Sequence, residues 1–488
     1  MSDVIGIGTR AVLLAALVAL PAAAQSAQPR TLSAADSALV GRILLAEDRR
    51  DSTDMAMVEG SRDPDPRIRV IAQRARGRIA DPRFAGRDSL PALAAPPTWP
   101  EPAWRLRYRA LAARSHDCSA LAAAFSDSAW PVRLHAADLV PAACAAHEPL
   151  TATLRAWIDT LPRNAANRKP EGVSWQAAAH AIVTLARLRP AEARQRVAAL
   201  ARHGQWQVRM YAARAAAVLS DSAGLRSLVR DTNDNVREAA IGALAKLTGH
   251  ADDTLFLDAL GAKGAQVVRA AAVALVGSPR SDVRAAANAA FDQWVARQNA
   301  SAHDVRTALL AAAGRPPSDD RAPVNRVELP SQAIALALGA DRRLRVAMAP
   351  SSGGGSFVVR LRGDVAPMMA ARILALARSG YYNGLTWHRV EHDFVIQGGS
   401  PGANEYVGYT EALRDELGPV PHTRGTVGMS TRGHDTGDAQ WFVNLRDNLR
   451  LGRDYTVFGE VVDGMDVVDG ILEGDVIATI DELGDPHG

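Results

Sequence analysis

The chain has 488 residues, 48% of them apolar and 22% charged, which is too long for one compact core and predicts at least two domains. Its two cysteines, Cys118 and Cys144, exclude a structural zinc site built from thiols alone. The formal charge of +3 hides an asymmetry: from Arg343 onward 13 arginines and no lysine meet 20 acidic residues, leaving that part at −7 and the rest at +10. The basic residues are scattered among acids on predicted helices, so solvated helix faces are the simplest reading. Docking of the acidic part on the basic one, or contact with anionic lipid, are the alternatives, and no nucleic-acid partner is expected.

Residues 1–24 carry Arg10, an apolar run from Ala11 to Leu20, and the small residues Ala22, Ala23 and Ala24. That pattern predicts a secretory signal cleaved near Ala24 and hence an exported, most simply periplasmic, protein. Nothing later in the chain is apolar for the roughly 20 residues that a membrane span needs. An oxidising compartment permits a disulfide. The segments Ser119–Phe125 and Pro131–Ala143 read as antiparallel helices that bring Cys118 near Cys144, either bridged or left as two buried thiols.

From about Thr31 to Gly314 a theme recurs: a short helix, a turn with Asp, Pro or Asn, then an alanine-rich helix that starts with Val-Arg. The starts are Ile68-Arg69, Val132-Arg133, Val208-Arg209, Val236-Arg237, Val268-Arg269 and Val305-Arg306, with Trp175 where a further unit belongs. The spacings from Trp175 are 33, 28 and 32 residues, in the range of helical solenoids. The stretch from Asp234 to Leu247 resembles the second helix of a HEAT repeat, with Val236, Ile241, Leu244 and Leu247 filling a seam that alanines let close. Residues 31–314 are therefore expected to form an all-α HEAT-like solenoid presenting an extended surface to a partner. The arginine after each valine is read either as one rung of a ladder with acids such as Asp231 and Asp234 or as a group that binds an acidic ligand. The histidines here are scattered without metal-ligand spacing.

The alanine periodicity lapses over 315–342, where Arg315, Pro316, Pro317 and Ala322, Pro323 read as linker, with one short helix over Ser331–Leu338. Beyond it, Leu344–Met348 and Ser356–Leu361 alternate as paired strands, and Pro367 opens a helix that ends near Ser379-Gly380. Then come Trp387-His388-Arg389-Val390, Phe394-Val395-Ile396-Gln397-Gly398-Gly399, Gly425 to Met429, Gln440 to Val443 and Tyr455 to Gly459. In order and spacing this part, 343–485, resembles the cyclophilin-type prolyl isomerases. The resemblance implies a closed β-barrel with capping helices and cis–trans isomerisation of X-Pro bonds.

That reaction requires no nucleophile, cofactor or metal, and none is expected. A catalyst must seat the proline ring in an apolar pocket and weaken amide resonance in the twisted state with a donor to the prolyl nitrogen. By resemblance Arg389 is the catalytic arginine, Gln397 its brace, and Phe394, Val395, Phe442 and Leu451 the pocket around the proline, with Met429 behind. Ser430 and Thr431 match the segment that pairs with substrate backbone, Gln440 a polar wall, and Tyr455 a position that is often histidine in animal members. The chain departs from the family at Val395, usually methionine, at Ser400, usually aspartate, and at Ser430, usually alanine. Arg450 stands where an aromatic helps to hold cyclosporin, and the turn at Asp393-Phe394 lacks the Pro-Gly or Pro-Asn often found there. His388 is read as a structural neighbour rather than a base. Asp435-Thr436-Gly437 is a lone triplet, not the paired carboxylates of an aspartic protease.

The expectation is thus an exported multidomain isomerase whose solenoid holds a client or a partner, acting on proline-containing unfolded or folding polypeptides. The alternative from a different class is a non-catalytic scaffold that binds proline-containing peptides.

Overall fold

The computed structural model describes residues 32–81, 94–162, 174–320 and 328–484. The expected signal segment 1–24 and part of the expected linker, 321–327, lie outside the described residues. Up to Ala312 the described chain is helical. From Arg343 onward eight strands and two further helices follow. Among the described residues no helix is long and apolar enough to cross a membrane.

The valines and isoleucine that precede the repeated arginines sit within the first turn or so of their helices, and all are at most 1% exposed. All of those helices but the first, joined by Trp175–Leu188, form a continuous row. Trp130–Leu139 packs on Trp175–Leu188, which packs on Trp206–Val218, then Asp234–Thr248, Ala265–Leu275 and His303–Ala312. The seams are lined by fully buried Ala177, Ala181, Ala212, Ala240 and Ala271, small enough for close approach of neighbouring axes. Arg209 donates from Nε and Nη2 to the two oxygens of Asp231, each at 2.8 Å. Arg237 pairs with Asp234 at 3.2 Å and Arg306 with Asp320 at 2.9 Å. Cys118 and Cys144 are joined, with Cα atoms 5.5 Å apart, and tie the helix Cys118–Ala124 to the turn after Trp130–Leu139.

The strands are β1 Arg343–Met348, β2 Ser356–Leu361, β3 Thr386–Val390, β4 Val395–Ser400, β5 Thr426–Met429, β6 Trp441–Asn444, β7 Val457–Asp463 and β8 Ile477–Leu483. They form one antiparallel sheet in the order β3-β4-β6-β5-β7-β2-β1-β8. The expected closed barrel does not form. The sheet curls into a half-barrel whose edge strands, β3 and β8, share no ladder and meet only end to end, at the isolated bridge Thr386–Val476 and at Ile477, which donates to Leu385 O and accepts from Gly384 N, each at 2.8 Å. The reason lies in β3, where the pairing with β4 slips on both sides of Trp387. Such bulges bend a strand away from regular pairing. The Trp387 backbone turns instead to the Gly474-Asp475 loop, donating to Asp475 O at 2.9 Å and accepting from Gly474 N at 2.8 Å. The helices Pro367–Arg378 and Met465–Gly470 pack against the sheet.

Two hydrophobic cores result. One runs along the helical row from Leu111 to Leu310. The other combines the sheet and the helix Pro367–Arg378 with Ile43, Leu44, Ile68 and Ile71, so the helices Ala34–Arg49 and Pro66–Ala80 bury their apolar faces with the sheet. Buried arginines fasten this arrangement. Arg78, 0% exposed, donates to Leu417 O at 2.7 Å, Val365 O at 2.6 Å and Glu416 O at 3.0 Å, and pairs with Glu47. Arg105, also 0% exposed, donates to His392 O at 3.1 Å, Leu445 O at 2.7 Å and Asp469 Oδ1 at 2.9 Å. Removing Arg105 takes this donor from the buried His392 O and leaves Leu445 O and Asp469 to Arg424 alone. Arg105→Ala is expected to cost about 3–5 kcal/mol, read as a lower urea midpoint, and a loss under about 1 kcal/mol, the range of exposed pairs, would contradict this account.

Candidate active site

The register of three strands builds the site. Arg389 on β3 lies opposite Gln397 on β4, and Gln397 lies opposite Phe442 on β6, so period-two alternation sets all three on one face. Phe442 in turn faces Gly428 on β5. A Cβ at Gly428 would lie 2.4 Å from Phe442 Cζ, so glycine is what lets the ring lie flat across the sheet. The ring stacks on His422 at 5.8 Å and meets Tyr455 edge-on at 5.7 Å. His422 is locked in one tautomer: Asn444 Nδ2 donates to Nδ1 at 3.2 Å, leaving Nε2–H to donate to Tyr455 O at 3.0 Å.

Val395, Phe442 and Leu451 form a small apolar cluster of their own, with Phe394 and Tyr455 against it. They line a cavity of about 410 Å³ together with Arg389, Gln397, Ser430 and Thr431. Two of the residues proposed for the site are not on its wall. Met429 is fully buried in the core behind. Gln440 backs the wall, accepting from Gln397 Nε2 at 3.2 Å while donating to Glu405 O and Val407 O, each at 3.1 Å. Arg450 covers the Phe394 ring at 5.0 Å. Ser400 organises the next loop, donating to Val407 O at 2.6 Å and accepting from the backbone of Gly402 and Asn404.

Sequence reasoning missed the acids around Arg389. Glu391 Oε1 accepts from Nε at 2.8 Å and from Nη2 at 2.5 Å, Glu405 lies 3.1 Å from Nη1, and Gln397 Oε1 accepts from Nη1 at 3.4 Å. Arg389 keeps 39% of its side chain exposed. It also missed that Arg269 and Asp304, from the helical row, line the same cavity. Glu391 lies two residues beyond Arg389 and could have been suspected. The others are distant in sequence and carry no motif.

Burial pulls the His388 imidazole down to about 4, so at neutral pH it is an uncharged ring. Asp435 accepts from Asp415 N at 2.8 Å in a tight turn, which accounts for the Asp-Thr-Gly triplet. Among the described residues no cluster of three or more His, Cys, Asp or Glu side chains is placed to hold a metal ion. What the site offers is an apolar cluster in a cavity that the guanidinium groups of Arg269, Arg389 and Arg432 also line.

A family described as cyclophilin type peptidyl-prolyl cis-trans isomerase/CLD matches residues 345–482. The chain is 35% identical over 130 residues to a peptidyl-prolyl cis-trans isomerase of Helicobacter pylori, covering 26% of this chain and 80% of that protein. It is 35% identical over 129 residues to peptidyl-prolyl cis-trans isomerase B of Bacillus subtilis, covering 26% and 90%. With peptidyl-prolyl cis-trans isomerase B of Escherichia coli the identity is 38% over 128 residues, covering 24% and 78%.

Glu238, beside the cavity, is pushed up from an ordinary 4.5 to about 7, chiefly by burial, with Arg269 opposing and Glu405 adding to the shift. The folded chain therefore keeps a proton there that the unfolded chain gives up at lower pH. This contribution to stability is full below about 4.5 and is lost as the pH climbs through 7. A Glu238→Gln variant is expected to flatten the fall in melting temperature across that window, and an unchanged slope would contradict the assignment.

Proposed function

The chain belongs to the cyclophilin-type peptidyl-prolyl cis-trans isomerase family, and from that membership we propose that it turns X-Pro bonds at the row Arg389, Gln397 and Phe442. The observation that supports this reading is the pairing register, in which Arg389 lies opposite Gln397 and Gln397 opposite Phe442, beside the apolar cluster of Val395, Phe442 and Leu451. The barrier to be lowered, roughly 18–20 kcal/mol, arises from amide resonance. In the twisted state the prolyl nitrogen becomes pyramidal and gains a lone pair that a donor can meet. Arg389 supplies that donor. It stays charged at any working pH, and Gln397, Glu391 and Glu405 hold its plane before the substrate arrives. An interaction realised mainly in the twisted state lowers the barrier instead of merely binding substrate. About 5–7 kcal/mol of such stabilisation turns tens of seconds into milliseconds. Phe394, Val395, Leu451 and Tyr455 seat the ring around Phe442, Met429 supports the wall, Ser430 and Thr431 meet the substrate backbone, and Gln440 holds Gln397.

We further propose that the substrates are exported proteins still folding. The apolar run from Ala11 and the alanines before Gln25 support export, and the Cys118–Cys144 bridge suits an oxidising compartment. The helical row is read as a HEAT-like solenoid that holds the client while its prolines are turned, on the strength of the spacing and side-by-side packing of its Val-Arg helices.

One observation favours the second reading, a scaffold that binds proline-containing peptides without turning them: the donors of Arg389 already face Glu391 and Glu405. The deciding experiment is cis–trans exchange in a short Ala-Pro peptide, followed by NMR, with the full chain and its Arg389→Ala variant. The expected result is acceleration by the wild type and a loss of about a hundredfold or more in the variant. No acceleration by folded wild type would leave the scaffold, and full activity in the variant would remove Arg389 from the mechanism.

A further inference from the structure

The proline cavity is not isolated. Arg389, Glu405 and Tyr406 form one of its walls, and the same three residues form a wall of a second, larger cavity of about 600 Å³. The second cavity lies between the β3 side of the sheet and two helices of the row, Trp206–Val218 and Asp234–Thr248. Its helical side is made of half-buried Trp206, buried Met210, Ala239, Gly242 and Ala243. Charged residues of both signs, Arg214, Lys246 and Arg389 with Glu238, Glu405 and Glu473, line it as well. A Cβ at Gly242 would meet nothing within 4 Å, which means that this position opens onto empty space. On the sheet side stand His388 and Thr386.

The wall between the two cavities is fastened to the helices, not left to swing. Asn235 Nδ2 donates to Gly402 O at 2.9 Å, Asn404 Nδ2 donates to Asn235 Oδ1 at 3.0 Å, and the Arg269 guanidinium lies 3.8 Å over the Tyr406 ring. A polypeptide whose proline sits in the first cavity has only Arg389, Glu405 and Tyr406 between it and the second. What the helical side presents there is an adaptable methionine and a tryptophan beside small residues, suited to aliphatic and aromatic side chains of varied shape.

We propose that the second cavity binds an apolar side chain of the same substrate, from the residues flanking the proline, so that the helical row selects unfolded segments rich in apolar residues for the bond turned at Arg389. The proposal rests on the isomerase reading for its substrate but not for its test. Two peptides are compared on the full chain: a short Ala-Pro peptide, and the same peptide extended at both ends by flanks containing leucine and phenylalanine. Seating one large apolar side chain predicts a kcat/KM for the extended peptide roughly tenfold above that for the short one. Gly242→Trp, which fills the hollow, is expected to bring that ratio to about one, and Gly242→Glu, which puts a charge in it, to do the same. Gly242→Ala, adding one methyl to open space, is expected to keep it, with circular dichroism checking that each variant folds. Equal rates for the two peptides in the wild type, or a ratio untouched by Gly242→Trp and Gly242→Glu, would overturn the proposal. A wild type that turned over neither peptide would fail the isomerase reading, and fluorescence anisotropy of a dye-labelled extended peptide would then decide the cavity alone. Binding weakened roughly tenfold by Gly242→Trp supports it, and unchanged binding overturns it.

Discussion

Two buried guanidinium groups hold the rest of the structure in place. Arg78 and Arg105 come from the helical part, are sealed from solvent, and aim most of their donors at backbone carbonyls of the sheet part. A charge taken out of water is tolerated only where hydrogen bonds and a counter-charge replace its hydration. Here Glu47 and Asp469 provide the counter-charges, and loop carbonyls complete the set. The same bonds satisfy both sides, so separating helices from sheet would strand several polar groups at once. A single Trp99 Nε1 bond to Val461 O at 3.1 Å, and the Arg424 guanidinium shared between Asp469 and Pro100 O, extend the seam.

The consequence for the site is direct. Arg105 grips His392 O and Leu445 O, and Arg109 on the same helix pairs with Asp393 at 2.6 Å. His392 and Asp393 belong to the turn that carries Glu391 and Phe394 between β3 and β4. That turn is held from outside the sheet by Arg105 and Arg109 of a neighbouring helix. On the other side of the pocket, Arg432 donates to Ser301 O at 2.9 Å and pairs with Asp304. The helices thus set the position of the pocket floor, of one cavity wall, and of the loop that carries Glu405.

The chemistry at the centre was the most legible part, because its residues lie close in sequence on neighbouring strands. Arg389, Phe394 and Gln397 span two strands and one tight turn, so their convergence needs little more than alternation and a hairpin. The helices were equally readable, since alanine-rich runs headed by a buried valine signal close helix packing. The half-barrel was not. Closure depends on whether β3 meets β8 along a ladder, and the slips around Trp387 that prevent it have no residue pattern of their own. Nor did the pattern show that Ile43, Leu44, Ile68 and Ile71 belong to the core of the sheet, since an amphipathic helix does not declare which partner it covers. Contacts such as Arg105 with Leu445, 340 residues apart, are side chain to carbonyl, and a carbonyl is present at every residue.

The central claim is that sheet and helices form one cooperative unit in which the helices hold the site. It is tested most directly by heating the full chain while following helical circular dichroism and catalysed exchange in an Ala-Pro peptide on the same sample. The account predicts that both signals are lost in a single coincident transition. Helices that melt in an earlier step while the exchange rate persists would contradict it.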